Sequence, residues 1–544
     1  MLCTRLTNAR FLTMDPDHPV AHDLGIWRGR IVGLDAAVTS VPAREVIDLQ
    51  GATVLPGFID AHVHLAWTGF KESAPSIAGR TRIDDVLAAV EDAVTRKGGA
   101  GGGSSGGGDS GDGSSGDWVT VVGYDQRALG RHLTAAELDK VSHGHKLYLL
   151  HDSGHGCVVN SAVLDLLPAD IPHENGFLAE GAMGAARALG LPRSQRDLAE
   201  SIGRAARTCL AEGVTACAEA GIGGTLLGHS PVELGAYQLA RDEGLLPLRV
   251  QLMVAADRLR PVDAHAADGF PRALDLGLRT RFGDDRLSVG ALKVFTDGGM
   301  MARTAALTSP YEGLDHSGQL QDDPDVLADT IVDGHLAGWQ LAVHAIGDRG
   351  ADVALDALER AQRLRPRPEA RHRVEHAGLI RPDQLARFAR LGVTAVVQPN
   401  FLRHFGDDYA AIMGEERAPW LYRGRSFLDH GIRLVGSSDR PVTDGSPLRA
   451  VQFMAERTSA SGQVIGPDEG ITVEQALHAY TMAGAYACHW ENDLGSLTPG
   501  KRADLVVLGD DPTRVEVSRI GGIEVAATYV DGRETRETGK VAAA

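Results

Sequence analysis

The fold class this sequence predicts is α/β: a TIM (β/α)8 barrel, a small β-sandwich formed by both chain ends, and an α/β subdomain inserted after the first barrel strand. Three observations predict it. Eight apolar, β-like runs alternate with long helical stretches, the pattern of βα units around a parallel sheet. Both ends of the chain instead carry short strand-like runs separated by turn signals. About 150 residues separate the first barrel-strand candidate from the second, where a βα unit needs only ~30.

Residues 1–56 supply the first half of the sandwich, in runs from Asn8 to Met14, Gly25 to Leu34 and Glu45 to Leu49. The barrel is expected over 57–490. Its strand candidates are Ala52–His64, Gly213–Glu219, Leu248–Val254, Ser288–Thr296, Gln340–Ile346, Arg373–Ala377, Val393–Gln398 and Arg433–Ser438. Eight parallel strands favour a closed barrel over an open sheet, and a barrel of this kind carries its catalytic groups at the C-terminal strand ends. The insertion spans about 70–200 and includes the strand-like runs Trp118–Gly123 and Lys146–Leu150. Within it, 98–116 is nearly all Gly and Ser, a composition too poor in apolar groups to offset its ordering entropy, so a flexible surface loop is expected. A phosphate-binding role for that loop is weak, because no G-K-[ST] follows it. Residues 491–544 return to the sandwich through Ala503–Leu508 and Ala527–Val530, with the turn pair Asp531-Gly532 after them.

Composition narrows the function. The chain has 544 residues and a formal charge of −18, a field that repels phosphate backbones and anionic membrane surfaces. Nucleic acid and membrane are therefore not expected partners; a small-molecule substrate is. The five cysteines are scattered and form no C-x-x-C pair, which argues against a disulfide framework and for a reducing cytoplasm. The N-terminus lacks the apolar core of a signal peptide, and no apolar run reaches the ~18 residues needed to cross a bilayer. Symmetry statistics alone favour a homodimer.

The chemistry is concentrated at strand ends. His62 and His64, in Ala61-His-Val-His64, share one face of an extended chain with Cα atoms ~7 Å apart, close enough to grip one ion. Lys293, His344, His376 and Asp439 each follow apolar residues at the end of a later strand and precede turn-like sequence. Imidazoles and carboxylates suit Zn2+ or a similar divalent ion, and groups from several strand ends converge at a barrel mouth. Two other patterns are excluded. His143-Gly-His145 precedes its strand and so lies at the opposite end. His372 is four extended residues from His376, or ~13 Å, too far to share an ion.

With these motifs in hand, the sequence resembles the amidohydrolase superfamily of metal-dependent hydrolases, in the branch that includes N-substituted formamide deformylases. The resemblance rests on Leu55-Pro-Gly-Phe-Ile-Asp-Ala-His-Val-His64, His344-Ala-Ile-Gly-Asp348, Arg373-Val-Glu-His376, Ser438-Asp-Arg-Pro-Val442 and the stretch from Gly495 to Leu505, covering nearly the whole chain. It implies a centre of one or two metal ions held by His62, His64, His344, His376, Asp439 and Lys293, the lysine as a carbamate. An ordinary Lys293 paired with Asp297 or Glu219 is the competing reading, and would make the site mononuclear.

A divalent ion lowers the pKa of its water toward ~7 and polarises a carbonyl. Asp439 is then expected as general base and, after it, general acid toward the leaving nitrogen. The expected function is hydrolysis of non-peptide C–N bonds, with linear amides such as N-substituted formamides preferred. A deaminase or cyclic-amide hydrolase is the alternative, and a non-catalytic scaffold is disfavoured because every ligand position is filled. Four further residues are candidates for substrate binding. His155 matches a histidine motif of the branch, against a loop histidine bonded to backbone. Glu219 ends the second strand, against a structural ion pair. Trp67 and Tyr311 are candidates for an apolar wall, against a place in the core. Asp348 and Arg349 are expected to pair and hold a loop.

Overall fold

The computed structural model describes residues 1–99, 118–152, 154, 156–224 and 226–535. Its centre is an eight-stranded parallel sheet formed by Phe58–Val63, Val214–Ile222, Arg249–Ala255, Leu287–Phe295, Leu341–Ala345, Arg373–His376, Thr394–Val397 and Leu434–Gly436. Each strand neighbours the next in sequence, the order of a TIM-like barrel. The eighth strand returns to the first at the C-terminal rim, where Asp439 N donates to His62 O at 2.8 Å and His64 N to Arg440 O at 2.9 Å. Lower down, Tyr480 fills the seam. Its carbonyl accepts from Ile59 N at 2.7 Å, and its hydroxyl donates to Ser437 O at 2.9 Å. Gly436 makes room for that ring, since a Cβ there would lie 2.1 Å from it.

Small residues line the barrel interior: Ala216, Ala218, Ala220, Ala291 and Ala342 pack with Ala485, Cys488, Trp490 and Leu494. Gln251 and Gln340 donate to the carbonyls of Cys488 and Ala487 at 2.9 Å each, so this segment closes the end away from the strand tips.

The first strand differs from its expectation. The single run Ala52–His64 divides around Gly57 into Thr53–Pro56 and Phe58–Val63. The former lies in an end sheet between Arg10–Leu12 and Leu505–Leu508, while the latter opens the barrel beside Val214–Ile222. Both pieces are buried throughout, and a run buried on both faces carries no alternation to mark the break.

Strands from both chain ends form two sheets. One joins Leu2–Thr7, Leu24–Trp27, Arg30–Leu34 and Ala43–Asp48; the other joins Arg10–Leu12, Val20–Ala21, Thr53–Pro56, Leu505–Leu508, Val525–Val530 and Arg533–Glu534. Leu6, Phe11, Ile26, Val54, Leu505 and Tyr529 share one buried apolar cluster between them. Asp531 and Gly532 both have positive φ, 51° and 69°, as a tight hairpin turn requires. Buried Arg249, opening the third barrel strand, ties this layer to the barrel through Asp504 at 2.8 Å and Asp531 at 2.5 Å.

The insertion holds a four-stranded sheet in the order Phe177–Ala179, Gly156–Val159, Lys146–His151, Trp118–Tyr124. Leu147 and Leu149 pack against helix Ile83–Gly99 on one face, and Tyr148 packs with Met183 and Ala186 of helix Glu180–Ala188 on the other, the period of two expected of a strand. That first helix runs two residues into the Gly/Ser stretch, whose remainder, 100–116, lies outside the described residues. No helix among the described residues is long and apolar enough to cross a membrane.

Candidate metal centre

The contacts that close the barrel also build the site, because they set the end of the first strand against the end of the eighth. Asp439 Oδ1 lies 3.4 Å from His62 Nε2 and 3.1 Å from His64 Nε2. His376 joins them from the sixth strand: one donor atom each of His62, His376 and Asp439 falls within 4.8 Å of the others. His344 packs its ring 4.4 Å from that of His376, and Lys293 brings Nζ to 3.4 Å from His62 Nε2. All six are buried.

The orientation of the rings decides what they can hold. His62 Nδ1 is bound to Glu375 at 2.5 Å, and His64 Nδ1 is 3.4 Å from Glu219. His376 Nδ1 meets Gln398 Oε1 at 2.8 Å, and Gln398 shows which end of its amide it offers by donating Nε2 to Ser437 Oγ at 2.9 Å. At His62 and His376 the outer nitrogen faces an oxygen acceptor, so the proton sits there and Nε2 is left with its lone pair toward the cluster, whereas His64 lies between two carboxylates and takes that form only when an ion replaces its second proton. Neutral imidazoles held by carboxylates or amides, next to a carboxylate, are the donor set a divalent ion takes. The residues present fit such an ion.

Electrostatics follow the same pattern. Burial pushes His62 and His376 well below the ordinary histidine range, and the neighbouring Lys293, His64 and His344 add to it. His64 goes the other way: burial opposes its charge, but Asp439 and Glu219 outweigh burial and raise it to about 9. Burial lowers Lys293 to about 8 against the pull of Glu375 and Asp439.

Two of the cluster residues have unusual backbone. His376 and Asp439 have φ of 70° and 53°, a left-handed conformation that costs a non-glycine residue of order 1–3 kcal/mol. At His376 it breaks the alternation of its strand. Val374 faces the helices, Arg373 and Glu375 face the interior, and strict alternation would send His376 outward with Val374. The left-handed turn brings it back to the cluster.

The sequence pattern of the amidohydrolase family matches residues 45–536. The chain belongs to the amidohydrolase family. It is 29% identical to the N-substituted formamide deformylase of Arthrobacter pascens, over 97% of this chain and 97% of that one. It is 28% identical to the protein LONG AFTER FAR-RED 3 of Arabidopsis thaliana, over 97% of this chain and 91% of that one. Among solved structures, a metal-dependent hydrolase from Pyrococcus horikoshii superposes with a TM-score of 0.74 at 27% identity, covering 95% of this chain and 99% of that one. The motif resemblance therefore holds along the chain, and this amidohydrolase is a metal-dependent hydrolase of C–N bonds.

Around the amidohydrolase centre, several expectations are revised. Lys293 does not draw on Glu219, whose carboxylate accepts from Leu65 N at 2.7 Å and Tyr237 Oη at 2.5 Å while facing His64. Glu219 thus positions His64 and the helix Leu65–Ser73, and it also lines the larger cavity beside the site. Asp297, the other partner weighed for Lys293, accepts backbone amides of Ala306, Ile346 and Gly347 at 3.0, 3.0 and 2.7 Å. Tyr311 is a core residue: it is buried, donates to Ala305 O at 2.8 Å, and lines no part of the cavities at the site. Asp348 pairs with Arg381 at 3.1 Å and accepts Thr308 N at 2.9 Å, while Arg349 is exposed. Trp67 does stand at the site, its ring 5.7 Å from that of His64. His155 lies outside the described residues. The two excluded histidine patterns are elsewhere: His143 pairs with Glu91, and His372 is bonded to His335 at 2.8 Å.

Glu375 and Gln398 escaped sequence reasoning as site residues. Glu375 was legible in principle, as a charged residue inside an apolar strand at the same parity as Arg373. Gln398 had no such signal, because its role depends on the turned backbone at His376. Glu375→Gln is expected to weaken divalent-metal binding by about 10–100-fold, the usual cost of losing a partner behind a metal-binding histidine. Competition with a chromophoric chelator checks this; undiminished affinity would show that Glu375 serves only Arg373, which it binds at 2.5 Å.

Proposed function

We propose that this amidohydrolase cleaves linear amides, N-substituted formamides first among them, using Zn2+ held by His62, His64, His344, His376 and Asp439. The observation that carries the reading is the Asp439 carboxylate, set between the Nε2 atoms of His62 and His64 at 3.4 and 3.1 Å. The near full-length likeness to a formamide deformylase supports the substrate class. Imidazole and carboxylate donors favour zinc among divalent ions. Lys293, buried within the same group of side chains, is placed to become a further ligand once carbamylated. The free, buried cysteines 157, 209, 217 and 488 accord with a reducing cytoplasm.

When bound, the ion supplies a more acidic water and a polarised carbonyl. Asp439 accepts the proton that the attacking water gives up, and returns it to the amide nitrogen as the C–N bond breaks. That return is needed because an amide anion is a very poor leaving group. His64, its Nδ1 facing Glu219, stands 3.1 Å from the Asp439 carboxylate and bounds the space in which it works through both transfers. The space at the centre, about 50 Å³ and bounded by His62, His344, Phe295, Met300 and Trp67, suits a small acyl group.

Amine release from zinc-loaded protein, measured over N-formyl, N-acyl, cyclic-amide and aminopurine compounds, tests the reading. Cleavage confined to linear formamides or acyl amides is expected. Turnover of a ring or an aminopurine instead would replace it with cyclic-amide hydrolysis or deamination.

A further inference from the structure

Beside the metal centre, between the barrel rim and the inserted sheet, lies a second cavity of about 300 Å³. His64, Trp67, Gly154, Met183, Leu226 and Leu227 line both spaces, so one ligand can reach from one into the other around the Trp67 ring. The approach is shaped by Gly154, with φ of +72°, where a Cβ would strike Trp67 at 2.3 Å. A small space at the reacting centre joined to a larger one is the shape for an amide with a small acyl half and a bulky amine half.

The larger cavity has a distinct chemistry. Trp67, Phe70, Trp118 and Tyr148 give it an aromatic wall, suited to a ring. Among the described residues four cations also line it, Lys71, Lys97, Arg187 and Arg193, against one carboxylate, Glu219, in a chain whose net charge is −18. Glu219 is already occupied by Leu65 N, Tyr237 and His64.

The cations differ in how they are met. Lys71 is 3.3 Å from Asp152, and Lys97 donates to Trp118 O. Arg187 donates to the carbonyls of Leu226, Leu227 and Gly228 at 2.5, 2.6 and 3.0 Å. Arg193 lies over the Phe70 ring at 5.4 Å, and its guanidinium has no ion pair among the described residues. A half-buried guanidinium with no ion pair keeps its donors open to a carboxylate, which it can take in a bidentate, charge-assisted contact. Burial lowers both Arg187 and Arg193, with only distant attraction from Asp197 opposing it at Arg193.

We propose that this cavity binds an aromatic amine half carrying a carboxylate, with Arg193 as the partner of that carboxylate. The substrate class is then a small N-acyl amide of an anionic aromatic amine, an assignment that rests on the amide-cleaving reading above.

The test compares 4-(aminomethyl)benzoate with benzylamine, two amine halves that differ only in the carboxylate, by calorimetric titration into zinc-loaded protein. A charge-assisted bidentate contact predicts that the carboxylate compound binds about tenfold or more tightly. That ratio should fall toward one in Arg193→Gln and be partly restored in Arg193→Lys. A ratio near one in the parent protein, or a preference that survives Arg193→Gln, overturns the proposal. Turnover of the two corresponding formamides separates the two readings: selective binding of the carboxylate amine with neither formamide cleaved supports the carboxylate-binding cavity and overturns formamide hydrolysis.

Discussion

Asp439→Asn is expected to lower kcat by at least about 10³-fold, the upper range for a lost proton-transfer group, while leaving the fold and the bound metal in place. The substitution is chosen because it changes so little else. Asparagine keeps the volume of the side chain, and its carbonyl oxygen can still lie near His62 and His64. It also tolerates the left-handed backbone that Asp439 adopts at φ 53°. The backbone N–H that closes the barrel onto His62 O is untouched. What disappears is the ability to take a proton from water and give it to nitrogen. Measured amine release together with metal analysis decides the point: full activity in the variant would remove Asp439 from the chemistry, and a metal-free variant would reassign it to ion binding alone.

The second large effect is expected from His62→Ala, which should lose zinc and with it turnover. His62 is the residue through which most of the cluster communicates. Its Nδ1 binds Glu375, its Nε2 faces both Asp439 and Lys293, and its ring packs 4.9 Å from that of His376. Removing it takes away a donor and leaves the buried Glu375 carboxylate with Arg373 alone. Zinc content after gel filtration is expected to fall by about tenfold or more, in line with the cost of disrupting even an outer partner. His372→Ala is the matched control: an equally buried histidine, bonded to His335 and Leu341 N, whose loss should lower stability without lowering zinc content. Full zinc occupancy in His62→Ala would contradict the assignment.

The barrel was legible because each strand is a short apolar run followed by a polar residue and a turn, and that pattern survives without knowledge of neighbours. The convergence of His62, His64, Lys293, His344, His376 and Asp439 followed from barrel geometry, since all were placed at strand ends. What could not be read were relationships that depend on a departure from regular geometry. The break at Gly57 is hidden inside a continuous apolar run. The turn of His376 back toward His62 needs a backbone angle that the sequence does not announce, and Gln398 matters only because of it. Glu219 illustrates a different limit: it was expected to end the second strand, which instead runs on to Ile222, and which neighbours would claim its two oxygens depended on Tyr237 and Leu65, brought near by packing. The four-stranded sheet of the insertion was half visible, because Gly156–Val159 and Phe177–Ala179 are too short to stand out.

The end sheet sets a schedule for making the protein. Pro56, just before the barrel begins, pairs with Leu505, just after it ends. Nearly the entire polypeptide must leave the ribosome before that hydrogen-bonded ladder can form, a delay of roughly 20–90 s at about 5–20 residues per second. During that interval Thr53–Pro56, apolar and buried in the finished protein, has one edge without its final partner. Nascent chains are therefore expected to depend on chaperones late in synthesis, and ribosome-bound intermediates stalled before residue 505 should resist proteolysis less than those stalled well after it.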